Sequence, residues 1–267
     1  MKVLFFGDVF GHPGRDALRA AIAQLGPIHH PDFIIINGEN AAHGNGILPE
    51  MAQAFLDIGV DVITTGNHVW DQKQIIPFFA TCNRIIRPAN FPDFPFSRTP
   101  GRGSTVVESR RRPGLRLGVV QVMGRVFMDT LDCPFRIVEL EVDRLEQLGV
   151  QSILIDFHAE ASSEKQAMAY YMDGKVSAVI GTHTHVQTAD ERILPGGTAA
   201  ITDVGMCGCF DSVIGVKKEI SIQKLMTKRP IKYEPAEGPG GYNAALIDID
   251  EVTGKSRSIL RLRQTIV

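Results

Sequence analysis

Five short segments of the chain end in polar side chains that can bind a metal ion. In each segment, a run of apolar or β-branched residues leads into a turn of small residues and then into the polar groups. Buried strands of a parallel sheet end in this way, and ligands bind beyond their carboxyl ends. The pattern therefore predicts one shared site at the ends of several strands. Its candidate residues are Asp8, Glu39, Asn40, Asn67, His68, His158, His183 and His185.

Carboxylate, amide and imidazole donors together suit iron, manganese or zinc. Magnesium prefers oxygen ligands, and structural zinc sites normally use thiolates. All of the candidates except His68 could be ligands, a number that suits two ions sharing a bridging carboxylate. Two ions about 3.5–4 Å apart could hold a hydroxide for in-line attack on phosphorus and neutralise the developing charge. His68 could then protonate the leaving group as a general acid.

Each segment also has a simpler explanation. Asp8 could cap a helix or form a turn, and His158 could be a hydrogen-bonded core histidine. The turns at Glu39 and Asn67 could be structural, because asparagine tolerates left-handed backbone geometry. Segment 181–185, GTHTH, is the most specific, because packing does not require two imidazoles so close together. Taken together, the five segments favour the metal site.

The composition is that of a globular protein, and the formal net charge of −2 gives no argument for nucleic acid or an anionic membrane. No stretch approaches the roughly 20 apolar residues that span a bilayer, and we expect the N-terminus to form a strand rather than a signal peptide. The four cysteines lack the spacing of a disulfide framework or a zinc site, which favours free thiols in the cytoplasm. We expect one domain over residues 1–267 and a homo-oligomer.

Helical and strand patterns alternate along much of the chain and predict an α/β fold with parallel strands and right-handed crossovers. The predicted strands are 3–6, 33–36, 60–65, 104–108, 116–121, 152–157 and 176–180, followed by a β-rich region from Arg192 onward. The predicted helices are 15–25, 48–58, 72–80 with Asp71 as N-cap, 135–148, and one opened by a capping box of Ser163 and Gln166. Two α/β halves predict two packed sheets with helices outside.

Residues 86–103 interrupt this alternation with many Pro, Phe and Arg residues. A loop of this length is typically a functional cover or a mobile link. Its aromatic and basic side chains could stack on a base or contact phosphate, although anchoring the loop is their simpler role. These side chains are Phe91, Phe94, Phe96, Arg98 and Arg102.

The site motifs resemble those of the calcineurin-like metallophosphoesterase superfamily: an Asp after the first strand, Gly-Asp, Gly-Asn-His, a lone His, and Gly-His-x-His. Two departures stand out, because Phe10 occupies the usual position of a histidine and Glu39 that of a bridging aspartate. Both departures are also typical of the narrower bacterial YmdB-like family. The chain resembles that family over nearly its whole length. Further sequence segments that resemble this family are NGENAAHGNGI, TTGNHVWD, RPANFP, DFHAEASSEK, GTHTHVQTAD and TDVGMCGCFDSVIG.

The resemblance implies a four-layer α/β/β/α sandwich of metallophosphoesterase type. It also implies two divalent or trivalent transition-metal ions, iron or manganese first and zinc as the alternative. By that likeness, one ion is held by Asp8, Glu39, Asn40 and His185. The other ion is held by Glu39, Asn67, His158 and His183. His68 is then the proton donor, and Asn40 takes the place of the missing imidazole.

Members of the YmdB-like family are described as phosphodiesterases of cyclic nucleotides, 2′,3′-cyclic monophosphates among them. The resemblance therefore implies hydrolysis of small cyclic phosphodiesters such as 2′,3′-cyclic AMP by a metal-bound hydroxide. A near-neutral chain fits such a substrate better than a long nucleic acid. Two alternatives stay open: a metal-dependent phosphomonoesterase or nuclease, and a non-catalytic metal-binding regulatory protein. The intact ligand set and His68 favour an enzyme over the second.

Overall fold

The structure is a computed structural model that describes residues 1–266. The strands are β1 (Lys2–Val9), β2 (Phe33–Asn37), β3 (Val62–Thr64), β4 (Ser104–Glu108), β5 (Arg116–Met123), β6 (Ile153–His158), β7 (Ala178–Thr182), β8 (Arg192–Ile193), β9 (Ala199–Ile201), β10 (Met206–Cys209), β11 (Gly240–Ile249) and β12 (Ser256–Thr265). The helices are α1 (Gly11–His29), α2 (Pro49–Asp57), α3 (Ile75–Thr81), α4 (Pro134–Gln147), α5 (Ser162–Tyr171) and α6 (Lys218–Thr227).

The strands form two mixed sheets. In the first, the order is β12-β11-β10-β1-β2-β3, and the four strands from β10 to β3 are parallel. In the second, the order is β4-β5-β6-β7-β9-β8, with β4 and β8 as antiparallel edges of a parallel centre. The parallel pairing predicted for the first three strands is confirmed.

Apolar side chains pack these elements into four layers. Successive side chains of a strand point to opposite faces of its sheet. In β1, Leu4 and Phe6 therefore pack with α1–α3, whereas Val3 and Phe5 face the second sheet. The outer face of the second sheet packs against α4 and α5. The predicted four-layer α/β/β/α sandwich is confirmed.

The parallel strands position the candidate side chains. Asp8 lies near the carboxyl end of β1, and His158 is the last residue of β6. Glu39 follows β2, Asn67 follows β3 and His183 follows β7. Because the carboxyl ends of parallel strands meet at one edge of a sheet, both sheets deliver donor groups to the same end of the sandwich.

Helix α3 begins later than the sequence predicts. Its N-cap is Gln74, so the prediction that Asp71 caps a helix from residue 72 is wrong. Asp71 instead contacts the Nδ1 atom of His68 at 2.9 Å. Asp71 therefore contacts a residue of the candidate site and does not cap a helix.

Helix α5 begins earlier than predicted, at Ser162. Its N-cap is Ala161, which makes no side-chain capping bond, so the predicted box of Ser163 and Gln166 is wrong. The N-cap shifts by two residues, from Ser163 to Ala161, which places Ser163 inside the first turn, where a capping hydroxyl has no role.

The second half of the chain differs from the prediction by one additional helix. Helix α4 confirms the helix favoured at 135–148, and strands β8–β12 confirm a largely β-rich C-terminal region. Helix α6 within that region was not predicted. In residues 1–266, no helix combines the length and the apolar character required to cross a membrane.

Candidate metal centre

Three donor atoms surround the Nε2 atom of His158. They are Asn67 Oδ1 at 2.9 Å, His183 Nδ1 at 3.0 Å and Glu39 Oε1 at 3.1 Å. Glu39, His158 and His183 form a group whose ligand atoms all lie within 4.8 Å of one another. These four side chains are the set that the resemblance assigns to one ion.

The remaining candidate ligands lie next to this group. Asn40 Oδ1 is 3.3 Å from His185 Nε2, and the Asn40 amide donates to Gly44 O at 2.9 Å, which fixes the direction of its oxygen. Asp8 Oδ2 accepts a hydrogen bond from the backbone N–H of His183 at 3.2 Å. The structure thus brings together all seven side chains predicted as ligands.

A buried relay fixes the tautomer of His158. Thr182 Oγ1 donates to Asp156 Oδ1 at 2.7 Å, so its single proton is used there. The same oxygen lies 2.9 Å from His158 Nδ1, which must therefore carry the proton and donate it. In the neutral ring, the Nε2 lone pair then points at Glu39, Asn67 and His183. Outer partners that orient a metal-binding imidazole in this way are typical of metal sites.

The other two imidazoles are oriented by the same principle. His185 donates from Nδ1 to Ile214 O at 2.8 Å, which leaves its Nε2 as a lone pair beside Asn40. His183 Nε2 lies 3.1 Å from Glu160 Oε2, which leaves Nδ1 as a lone pair beside His158. Each ring therefore uses its outer nitrogen for an oxygen acceptor and presents the inner nitrogen to the cluster.

These residues fit a bound cation. Lone pairs of imidazole, amide and carboxylate groups face one another at distances where only a proton or a cation between them is favourable. Asp8 Oδ1 is fully buried and has no hydrogen-bond partner in the described structure. A buried carboxylate oxygen without a partner is costly, and a metal ion would satisfy it. The mixed nitrogen and oxygen donors suit a transition metal.

The pKa values show how strongly the cluster attracts positive charge. Burial opposes a charged His158, but Glu39, Asp8 and Asp156 outweigh it and raise the pKa of the imidazole to about 9. Burial and the charge of His158 lower the pKa of His183 to about 3. Burial would raise the pKa of Glu39, yet His158 and His68 lower it to about 2. The carboxylates of the cluster thus favour one positive charge on His158, and burial together with that charge disfavours a second one on His183.

We predict that Thr182→Val weakens metal binding about 10- to 100-fold, because it removes the hydroxyl that holds His158 in its tautomer. The measurement is titration of Mn²⁺ into metal-free protein. Thr198→Val is the matched control, since Thr198 is also buried and hydrogen-bonded, to Val176 O at 2.7 Å, but does not contact the cluster. Equal affinities of the Thr182 variant and the unaltered protein would show that the relay does not orient the ligand.

Segment 183–185 is held in a strained backbone. His183 and His185 have φ of 104° and 66°, values that L side chains rarely adopt. Asp203 accepts hydrogen bonds from Thr184 N at 3.0 Å and Thr184 Oγ1 at 2.8 Å, and it pairs with the buried Lys165 at 2.6 Å. Strain of this kind persists where surrounding bonds fix it, and it is common at functional sites.

Gly66 allows the two sheets to approach at the cluster. A Cβ atom at this position would lie 2.3 Å from Glu39 Oε2 and 2.4 Å from His158 Nε2. We predict that Gly66→Ala lowers metal affinity at least about tenfold, because both ligands must move to relieve the overlap. The measurement is metal content after dialysis against a fixed free Mn²⁺ concentration.

Gly26→Ala is the control for this change. Gly26 lies in α1, and a Cβ atom there would have no neighbour within 4 Å. Alanine is favoured over glycine in a helix by about 0.5–1 kcal/mol, so this variant should fold at least as well and keep its metal. Unchanged metal content in the Gly66 variant would contradict the close approach described above.

His68 lies at the edge of the cluster rather than inside it. Its backbone N–H donates to Glu39 Oε2 at 3.0 Å, and its Nδ1 faces Asp71 Oδ2 at 2.9 Å. The carboxylate accepts the Nδ1 proton, so Nε2 is the nitrogen left for a substrate. His68 lines a cavity of about 570 Å³ together with Glu39, Asn40 and His185. This position suits a group that exchanges a proton with a bound substrate.

The aromatic loop 86–103 is separate from this cavity. Phe91 packs edge-on against Trp70, and Phe94 stacks on Phe96 with ring centroids 5.5 Å apart. None of the aromatic or basic side chains that the sequence suggested for base stacking lines the cavity in the described structure. Anchoring by Phe91 is the role that the contacts support. His43 also lines the cavity.

Sequence reasoning missed the residues that orient the ligands. Asp156 and Asp203 are buried, each within an apolar run, ILIDF and ITDV. Burying a carboxylate without polar partners is costly. An aspartate inside an apolar run therefore indicates that the side chain has such partners. Thr182 lies inside the GTHTH segment but was not considered as more than a spacer.

The chain resembles known proteins over nearly its whole length. A family model described as YmdB-like protein matches residues 4–262. The chain is 46% identical over 265 residues to a protein of Bacillus subtilis (strain 168) named 2′,3′-cyclic-nucleotide 2′-phosphodiesterase. That alignment covers 98% of this chain and 96% of the Bacillus protein.

Two solved structures resemble the whole chain. A hypothetical protein from Thermus thermophilus superposes with a TM-score of 0.89 at 39% identity, covering 100% of both chains. A structure described as a novel phosphatase from Mycoplasma pneumoniae superposes with a TM-score of 0.91 at 33% identity. It covers 99% of this chain and 93% of that one.

Proposed function

The chain belongs to the YmdB-like protein family, and from that membership we propose that it is a metal-dependent phosphodiesterase that opens 2′,3′-cyclic nucleotides. One observation carries the proposal: the inner nitrogens of three oriented imidazoles converge with Glu39 and the unpaired oxygen of Asp8. The name of the Bacillus relative supports the same substrate class. The small net charge favours a small substrate over a long nucleic acid.

Two transition-metal ions, iron or manganese, would complete this site. Asp8, Glu39, Asn40 and His185 would hold one ion, and Glu39 would be shared. Asn67, His158 and His183 would complete the set around the other. When bound, such ions neutralise charge on phosphoryl oxygens and lower the pKa of water, which makes a nucleophile available near neutral pH.

Residues of the chain itself would donate the proton to the leaving group and orient the ligand set. Hydrolysis forms a bond from a water oxygen to phosphorus and breaks the bond from phosphorus to O2′. The leaving O2′ must gain a proton, and a nucleoside 3′-monophosphate results. His68 is placed to give that proton from Nε2, because Asp71 holds its Nδ1. Asn40, fixed by Gly44 O, keeps its oxygen directed at the ligand set.

The test is to remove metal with a chelator and restore Mn²⁺ or Fe²⁺ separately. We expect the metal-free protein to be inactive on 2′,3′-cyclic AMP, and the restored protein to form 3′-AMP with two ions bound per chain. Element analysis by mass spectrometry and chromatography of the products measure both. Activity that survives complete metal removal would overturn the proposal.

A phosphomonoesterase is the second candidate, because the Mycoplasma neighbour is described as a phosphatase. Phosphate release from 3′-AMP and other monoesters, measured beside opening of the cyclic diester, separates the two activities. A larger kcat/KM for the monoesters would favour the second candidate.

We also propose a cytoplasmic location and a homo-oligomeric state. All four cysteines are free thiols, and two of them are buried in β10, which fits a reducing compartment. Light scattering on the purified protein would give the molar mass in solution, and a monomer would contradict the second expectation.

A further inference from the structure

The cavity beside the candidate ligands has a second end of different chemistry. Its volume of about 570 Å³ lies within the range of about 300–1,000 Å³ that is usual for small-molecule sites. Four of the candidate ligands line one end: Glu39, Asn40, His183 and His185. The other end is formed by the segment around α6 and is called here the apolar wall. Its residues are Val213, Ile214, Val216, Leu225, Tyr233 and Pro235.

The apolar wall leaves large side chains open to the cavity. Leu225 is 60% exposed, Ile214 49% and Tyr233 45%. None of the six wall residues is charged. Apolar groups clustered in a concave site mark a surface that binds a ligand. Tyr233 offers an aromatic ring, with the Lys224 ammonium 3.7 Å from its centroid.

A single polar group accompanies this wall. Ser221 of α6 lines the same cavity, and only 2% of the residue is exposed. Its hydroxyl has no hydrogen-bond partner in the described structure. Leaving a buried hydroxyl unpaired costs free energy, so a ligand that supplies a partner would gain from it. The hydroxyl can donate or accept.

The wall is fixed relative to the candidate ligands. Ile214 O accepts the hydrogen bond from His185 at 2.8 Å, and Ile214 holds a φ of 50°, which is unusual for a β-branched residue. Backbone bonds from Lys217 to Glu234 O at 2.9 Å and from Ala236 to Gly215 O at 2.8 Å close the segment. The distance between the two ends of the cavity is therefore set before a ligand binds.

We propose that the apolar wall binds the nucleobase of the substrate, with the Ser221 hydroxyl hydrogen-bonded to it. The enzyme would thereby select nucleoside cyclic phosphates over cyclic phosphodiesters that lack a base. A nucleobase has apolar faces and polar edges, which match the wall and the hydroxyl, and stacking on an aromatic ring tolerates different bases. This inference rests on the proposed phosphodiesterase function.

The experiment compares two substrates on the metal-loaded protein: 2′,3′-cyclic AMP, and glycerol cyclic phosphate, which has the same cyclic phosphodiester and no base. For Leu225→Ala, we expect KM for 2′,3′-cyclic AMP to rise about tenfold, since one apolar contact in a pocket changes specificity by this order. The kcat for 2′,3′-cyclic AMP and both constants for glycerol cyclic phosphate should stay within about twofold.

Leu140→Ala is the matched control. Leu140 is also a helical leucine, 56% exposed, and it lies on α4 away from the cavity. This variant should match the unaltered protein on both substrates. If Leu225→Ala lowers kcat/KM equally for both substrates, the wall does not bind the base. A change in the oligomer's molar mass for Leu225→Ala, measured by light scattering, would also contradict the proposal. It would mean that a second chain, and not a nucleobase, covers the wall.

Ser221→Ala provides an independent test. Removing an unpaired buried hydroxyl should leave the unfolding temperature unchanged or raise it. The same change should raise KM for 2′,3′-cyclic AMP about five- to tenfold and leave glycerol cyclic phosphate unaffected. A fall in unfolding temperature with equal losses on both substrates would overturn the role of Ser221. If the unaltered protein opens neither substrate, the proposed function itself has failed.

Discussion

Replacing Glu39 with glutamine is expected to lower kcat/KM for 2′,3′-cyclic AMP by roughly a thousandfold or more and to leave at most one ion bound. Glu39 is the carboxylate that both proposed ion sets share, and its Oε1 lies 3.1 Å from His158 Nε2. Glutamine keeps the size of the side chain and can still accept the His68 N–H bond, but it lacks the charge. Removing one group that stabilises transition-state charge costs about 10²- to 10³-fold, and loss of an ion adds to this.

Kinetics and metal content of the same preparation measure this result. Glu139→Gln is the control, because it removes the same charge from an exposed position on α4 that pairs with Lys175. The control should keep two ions and stay within about twofold of the original activity. Two bound ions in the Glu39 variant, with activity within tenfold, would contradict the proposed bridging role.

The sequence predicts the architecture of this site because its signals are local. Asp8, His158 and the 181–185 segment each follow apolar runs that become buried strands, and parallel pairing then places their ends together. The ligand candidates were therefore recognisable before any contact was known. Their roles as metal ligands remain predictions that the Glu39 experiment addresses.

The partners of those ligands could not be predicted in the same way. Asp156, Thr182 and Asp71 act through contacts that depend on exact side-chain direction and on where a helix begins. Asp71 shows the difficulty, because its type and position suited a helix cap equally well. Helix α3 begins three residues later than predicted, so Asp71 lies before the helix and contacts His68.

Helix α6 and the apolar wall were missed for a different reason. The segment 210–237 has no strong periodic pattern, and its shape comes from contacts with the rest of the cavity, such as Gly215 against Phe10. A Cβ atom on Gly215 would lie 2.7 Å from that ring. Phe10 is the residue that replaces the usual histidine. The departure from the superfamily pattern thus coincides with a packing contact that supports the cavity.

Replacing His68 with alanine is expected to lower kcat for 2′,3′-cyclic AMP about 100-fold or more, with both ions retained. The reason is the leaving group, because an alkoxide from ribose needs a proton as its bond to phosphorus breaks. Bis-p-nitrophenyl phosphate releases a phenolate that needs no proton, so the same variant should lose less than about fivefold on that substrate. Comparing the two substrates at one metal concentration measures the difference.

The Asp71→Asn variant tests the orientation of the His68 ring separately from its role as proton donor. It keeps His68 but replaces the carboxylate 2.9 Å from Nδ1 with a neutral amide. Since a carboxylate that orients an imidazole favours its catalytic form, we expect a smaller loss than for His68→Ala, again confined to the substrate with the poor leaving group. Equal losses on both substrates in either variant, or loss of an ion, would mean that His68 supports the metal site and is not the acid.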